Sequence, residues 1–261
     1  MSDKSDIRII SYLPNPRVYK ATIVARYSGA VIDVIGDQPP EMANWLWDYQ
    51  AVKMTDAEKQ THASARRTAK TGFSGALYKT DAFLCANPFG DIPAAFAEDG
   101  TMGIFESNSI MRLAALTGPK APALYGTSPA ARARIDGFLD KTLLFADIIQ
   151  KYILAGDKLD AALHGKMAEA FRNYCAALEA ALGHHAHISC DALSLSDVVL
   201  VCELALMSNE GRMAEQLAAA KLPAILPELK NYPALHAHVT DLLVRAEFAE
   251  DLSGYAGFIL A

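Results

Sequence analysis

Residues 87–116 constrain this 261-residue chain more than any other stretch. They read in order as a turn (Asn87-Pro88-Phe89-Gly90-Asp91-Ile92-Pro93), a strand, a tight hairpin, a second strand and an apolar helix capped by Ser107. Glu106 and Ser107 fall where strand gives way to helix. A helix N-terminus presents unpaired N–H groups and the positive end of the helix dipole, a ready seat for a carboxylate. Ser107 adds a hydroxyl there, and Glu106 can accept from an ammonium. A site that grips both is what an α-amino acid end requires.

An upstream half complements this one. Residues 7–12, Ile-Arg-Ile-Ile-Ser-Tyr, read as a strand. A helix runs from about Pro16, suited to a first helical turn, through Val18, Ala21, Ile23, Val24 and Ala25 to Gly29, and Val31–Ile35 reads as a second strand. A βαβ unit followed by ββα is the thioredoxin-like order. Between the halves lies an unusually long segment, with the inserted part at about 37–78. Pro39-Pro40 opens it, Trp45 and Trp47 stand close together, and Thr55–Lys70 is polar and expected to be helical. Insertions this long are functional covers or interaction arms. The tryptophans are expected to pack against their own domain or a partner.

Residues 118–128, carrying Pro119, Pro122 and Gly126, read as a linker. Beyond them the pattern is all helix: Pro129–Leu154, Leu159–Leu182, Ser194–Ser208 and a tail from about Tyr232. The expected architecture is therefore an α/β thioredoxin-like domain over 1–117, a linker, and an all-α helical bundle over 129–261. Ser194-Leu195-Ser196-Asp197 is a capping box at the head of an apolar helix, expected to serve folding rather than chemistry.

The formal net charge of −6, with no basic stripe, argues against nucleic acid as a partner. No apolar run is long enough for a membrane span, and the polar Met-Ser-Asp-Lys start does not read as a secretory signal. Four cysteines, at 85, 175, 190 and 202, form no Cys-x-x-Cys pair and suit buried thiols in a reducing cytoplasm. His184-His185-Ala186-His187 lies in a loop without a convincing ligand frame, so no metal is expected.

Asn87, Pro88, Gly90, Ile92 and Pro93, then Glu106, Ser107 and Ile110, resemble the glutathione-binding half of the glutathione transferase family. Its pattern runs Asn-Pro-x-Gly-x-Val-Pro, a hairpin, then Glu-Ser-x-x-Ile. The resemblance implies a cis bond at Pro93, with Ile92 pairing through its backbone to the cysteinyl part of glutathione. It implies that Glu106 and Ser107 hold the amino acid end. A lysine at the distance of Lys79 holds the glycine carboxylate in relatives; the alternative for Lys79 is a solvated surface lysine.

Glutathione's thiol has a pKa of roughly 8.5, and lowering it by about two units requires roughly 2.7 kcal/mol of preferential thiolate stabilisation. One charge-assisted hydrogen bond plus a helix N-terminus can supply that. The donor must lie just after the first strand, where the chain offers Ser11, Tyr12 and Asn15. Relatives carry a serine directly before a proline, then a lysine and a hydrophobic helix. Asn15-Pro16-Arg17-Val18-Tyr19-Lys20 fits that frame with asparagine in the serine's place. Asn15 ranks first, Ser11 second and Tyr12 third. An asparagine leaves no covalent thiol, which argues against disulfide exchange. Arg17 reads as a solvent-facing helix residue.

Two functional readings follow from the resemblance. In the first, glutathione thiolate attacks an apolar aromatic electrophile in a cleft between domains. The Ser-Tyr-Leu-Pro-Asn-Pro-Arg start and the long insertion resemble bacterial members that cleave β-aryl ethers of lignin-derived aromatics. In the second, the stretch from Asn15 to Ala30 and Phe105–Asn108 resemble the gamma subunit of the eukaryotic translation-elongation exchange complex, a protein-assembly module. Either reading implies a homo- or heterodimer with a similar chain.

Overall fold

In the computed structural model, which describes residues 5–69, 72–97, 100–120 and 123–261, the chain divides into two units, 1–121 and 122–261. The isoleucine-rich run near the start forms β1 (Ile7–Tyr12), with Ile7, Ile9 and Ile10 fully buried. Asn15 caps α1 (Pro16–Ser28), accepting from Arg17 N at 3.0 Å. Gly29 closes that helix at φ 78°, a left-handed conformation that costs glycine nothing. β2 (Ile32–Asp37) runs parallel to β1 and reaches past the expected Ile35, because pairing continues to Tyr12↔Asp37.

The inserted segment builds a sheet of its own. Trp45-Leu46-Trp47 forms β3 (Trp45–Trp47), followed by β4 (Val52–Lys53), α2 (Asp56–Thr61), β5 (Arg66–Thr68), β6 (Ala76–Lys79) and α3 (Asp81–Ala86). Its strand order is β4-β3-β6-β5. The helix expected over Thr55–Lys70 is therefore short. A complete capping box between Thr55 and Glu58 starts it, but Arg66, Arg67 and Thr68 instead pair antiparallel with Tyr78, Leu77 and Ala76. Tertiary pairing overrides a polar, helix-compatible composition here.

β7 (Ala94–Ala97) and β8 (Met102–Phe105) complete the main sheet, in order β2-β1-β7-β8, and α4 (Ser107–Thr117) follows at once. The hairpin tip at Glu98 and Asp99, Lys70 of the insertion and Pro122 of the linker lie outside the described residues. α1 packs on α4. Ile10, Ala94 and Phe96 of the main sheet share one core with Met42, Trp47, Leu77 and Phe83 of the insertion. The tryptophan-bearing segment is thus packed into its own unit, and Trp47 is 1% exposed. Because side chains alternate along a strand, Ile7, Ile9 and Ser11 face the other way from Ile10.

The second unit is helical: α5 (Pro129–Ile153), α6 (Ala161–Leu182), α7 (Leu195–Met207), α8 (Ala214–Ala220), α9 (Pro233–Val244) and α10 (Ala246–Ile259). Every residue of α7 is buried, as its uniformly apolar sequence requires. The tail expected as one helix from Tyr232 breaks at Arg245, whose backbone is extended and which separates α9 from α10. The short α8 has no counterpart in the sequence expectation.

Candidate functional site

Register brings the motif residues to one end of the main sheet. A rung of paired residues runs Ile10↔Ala94↔Phe105 across β1, β7 and β8. One position beyond that rung lie Ser11 in β1, Pro93 ahead of β7 and Glu106 after β8. Three segments distant in sequence therefore end together, and the Ile92-Pro93 bond is cis.

The turn from β8 into α4 is made within one residue. Glu106 takes φ 67° and ψ 119°, a conformation that costs a non-glycine residue on the order of 1–3 kcal/mol. Glu106, not Ser107, occupies the capping position, and its exposed side chain makes no capping bond. Ser107 is instead the first helical residue and is buried, because the last β8 pair falls at Phe105 and leaves a single residue for the turn. Backbone strain of this kind persists only where surrounding structure fixes it, and it clusters at ligand clamps.

Lys20 joins this corner, a residue the sequence reading leaves without a role. It is 2% exposed, and its Nζ donates to Ser107 Oγ at 3.0 Å and Asn108 Oδ1 at 2.9 Å. The signal was available: Pro16, Lys20 and Val24 fall four apart on the buried stripe of α1, where an apolar residue belongs.

Lys79 is not a solvated lysine. It is 9% exposed, its Nζ donates to the carbonyl of Gly90, and it lies 4.7 Å from the centre of the Trp47 ring. That places it against the turn leading to Ile92. Asn87 braces the same turn through Nδ2 to the carbonyl of Asp91 at 2.9 Å.

Asn15 and Ser11 are brought together: Asn15 Nδ2 donates to Ser11 Oγ at 3.0 Å, while Asn15 Oδ1 caps α1. Both side chains are fully buried. Tyr12 keeps accessible surface and meets Phe73 edge-on at 6.2 Å. Arg17 is half-buried rather than solvent-facing.

In the second unit, His187 leaves its histidine neighbours for Asp197. The Asp197 carboxylate accepts from Ser194 N (2.8 Å), Ser194 Oγ (2.9 Å), Ile188 N (3.1 Å), His187 Nδ1 (3.3 Å) and His238 Nε2 (2.8 Å). Burial alone would raise its pKa, but the histidines and the Ile188 N–H outweigh burial and hold it well below the usual carboxylate range. His187, Asp197 and His238 offer ion-ligating atoms within 4.8 Å of one another. Their use in this structure is hydrogen bonding at a helix cap.

No family model matches the chain, and no curated protein matches it. Solved structures do. A glutathione S-transferase from Methylobacillus flagellatus KT with GSH bound is similar at TM-score 0.63 and 14% identity, over 94% of this chain and 98% of that one. A theta class glutathione S-transferase from Xanthomonas axonopodis pv. citri with glutathione bound is similar at TM-score 0.57 and 23% identity, over 95% and 97%. A glutathione transferase from Phanerochaete chrysosporium in complex with oxidised glutathione is similar at TM-score 0.63 and 15% identity, over 99% and 100%. At these identities the likeness establishes the fold: a thioredoxin-like α/β unit followed by a helical unit, as in glutathione transferases. Among the described residues, no helix is long and apolar enough to cross a membrane.

Proposed function

We propose that this chain binds glutathione and directs its thiolate to attack an apolar aromatic electrophile. The observation that carries the reading is the corner formed by strained Glu106, buried Ser107 and the N-terminus of α4. A carboxylate accepts from the Ser107 hydroxyl at the positive end of that helix, while Glu106 accepts from the neighbouring ammonium. Ile92, ahead of Pro93, offers its backbone to the cysteinyl unit as an added strand would. Lys79 braces that turn through Gly90, and its charge serves the glycine carboxylate. The fold shared with structures that hold glutathione supports the same ligand.

The thiol falls to the end of β1 and the start of α1. Asn15 donates to Ser11 Oγ, which leaves the Ser11 hydroxyl as a donor toward a thiolate, with Tyr12 beside it. Both buried side chains become accessible only through local rearrangement when the ligand enters. The electrophile in this reading is a β-aryl ether of the lignin-derived type. The thiolate forms a C–S bond at the carbon beside a ketone, the C–O bond breaks, and its electron pair leaves on the phenolate. Two exposed and two buried free cysteines suit a reducing compartment such as the cytoplasm, and pairing with a like chain completes the reading.

Calorimetric titration with reduced glutathione tests it. Binding that weakens in Ser107→Ala supports the reading, and no heat at millimolar glutathione would overturn it in favour of the assembly-module alternative. Release of phenolate from a β-aryl ketone ether, measured beside turnover of a halonitrobenzene, decides the substrate class.

A further inference from the structure

The inserted segment brings an aromatic ring to the end of β1. Phe73 stands in the connection between β5 and β6, a turn closed by Ala69 N donating to the carbonyl of Gly75 at 2.9 Å. Gly75 takes φ 78° there, a conformation glycine adopts without strain. From this turn the Phe73 ring reaches Tyr12, the last residue of β1, and meets it edge-on at 6.2 Å and 69°.

The other side of Phe73 is anchored. Its ring meets Trp47 edge-on at 5.7 Å, Trp47 meets Phe83 at 5.9 Å, and Phe83 packs on Phe96 at 6.2 Å. Trp47 is held by burial and by its Nε1, which donates to the carbonyl of Met42 at 3.0 Å. A column of rings therefore runs outward from the core. Its inner members, Trp47, Phe83 and Phe96, are buried, while its outer members, Phe73 and Tyr12, are only half-buried. A fixed, partly open pair of rings is a preorganised surface for another ring.

Position identifies the occupant. Tyr12 follows Ser11, beside which the thiol sits in the reading above. Ile92, whose backbone takes the cysteinyl unit in that reading, packs against the same core as Tyr12 and Phe73. A group carried on the glutathione sulfur is thus brought to the open end of the column. Rings attract rings beyond the area they bury, because the positive edge of one meets the negative face of the other.

We propose that the inserted segment is a specificity element, in which Phe73 and Tyr12 form a two-ring wall that binds the aromatic ring of the electrophile beside the thiol. The proposal rests on the glutathione reading and deepens it, giving the insertion the task of choosing aromatic over saturated substrates.

The test compares two conjugates by calorimetry, S-benzylglutathione and S-(cyclohexylmethyl)glutathione, which have the same carbon skeleton with and without aromaticity. Burial of area alone favours the saturated ring, the more apolar of the two. Two ring contacts, each worth about two- to tenfold, reverse that order, so wild type is expected to prefer the benzyl conjugate by about fivefold. Phe73→Leu keeps an apolar side chain without a ring, and should bring the ratio to about one or below. Equal binding of the conjugates by wild type, or tighter binding of the saturated one, overturns the proposal without any variant, so a variant that fails to fold does not protect it. A preference that persists in a folded Phe73→Leu also overturns it. Reduced glutathione bound without either conjugate overturns the proposal and leaves glutathione binding intact. Absence of binding for reduced glutathione and both conjugates overturns both.

Discussion

Replacing Asp197 with alanine should cost the helical unit about 4 kcal/mol, built from terms visible around the carboxylate. The backbone N–H groups of Ile188 and Ser194 lose their acceptors in a fully buried place, at about 1–2 kcal/mol each. The Ser194 hydroxyl, which donates to the same carboxylate at 2.9 Å, loses that acceptor at about 1 kcal/mol. His187 and His238, both nearly buried, lose the oxygen they share, which supplies the remainder. Against a total stability on the order of 5–15 kcal/mol, the variant stays folded at room temperature but with much of its margin gone. Urea unfolding at neutral pH reads this directly as a midpoint lowered by roughly 2 M, for a slope on the order of 2 kcal/mol per molar. The pH dependence has a fixed sign. A carboxyl whose folded pKa is depressed contributes its stability above the unfolded value, about 3.9, and loses it as pH falls toward the folded one. Wild type should therefore lose this contribution progressively below about pH 5, and its stability should converge on that of Asp197→Ala in acid. A loss under about 1 kcal/mol at neutral pH, or two curves that stay parallel into acid, would refute the reasoning.

Other expectations follow from neighbouring features. Tyr152→Phe removes the hydroxyl that donates to buried Glu210 at 2.7 Å, while that carboxylate still holds the N–H groups of Ile225 and Leu226; a loss of about 1–3 kcal/mol in the same urea assay is expected. Burial pushes the Cys175 thiol up to about 12 and also covers Cys202, so a thiol-reactive chromogen should titrate Cys85 and Cys190 in the native protein and all four cysteines only in denaturant. Gly36→Ala would set a Cβ 1.7 Å from the carbonyl of Ser11, so β1 and β2 must separate there; a lowered melting temperature is expected, and an unchanged one would contradict the register.

The fold was legible where local signals and tertiary demands agree. The isoleucine alternation of β1, the Asn15 and Pro16 start with Gly29 stop of α1, and the Ser194–Asp197 box each point to the element that forms. It was illegible where a partner strand decides. Nothing local in Arg66-Arg67-Thr68 says strand; β6 makes it one. The corner at Glu106 and Ser107 was legible in position but not in detail, since only the backbone angles show which residue turns and which is helical. Lys20 was hidden by its type, because a lysine is ordinarily read as solvent-facing even when it stands on an apolar stripe. For Asn15 the sequence shows the residue type and its place before Pro16, while only the structure shows its oxygen capping α1 and its amide nitrogen donating to Ser11, both out of solvent.

The measurement that bears most directly on the central claim is a crystal structure of the chain grown with reduced glutathione. The account predicts the γ-glutamyl carboxylate against Ser107 and the first turn of α4, its ammonium at Glu106, the cysteinyl backbone along Ile92, and the sulfur at the end of β1. Glutathione bound elsewhere, or a corner at Glu106 and Ser107 left vacant at millimolar ligand, would contradict it.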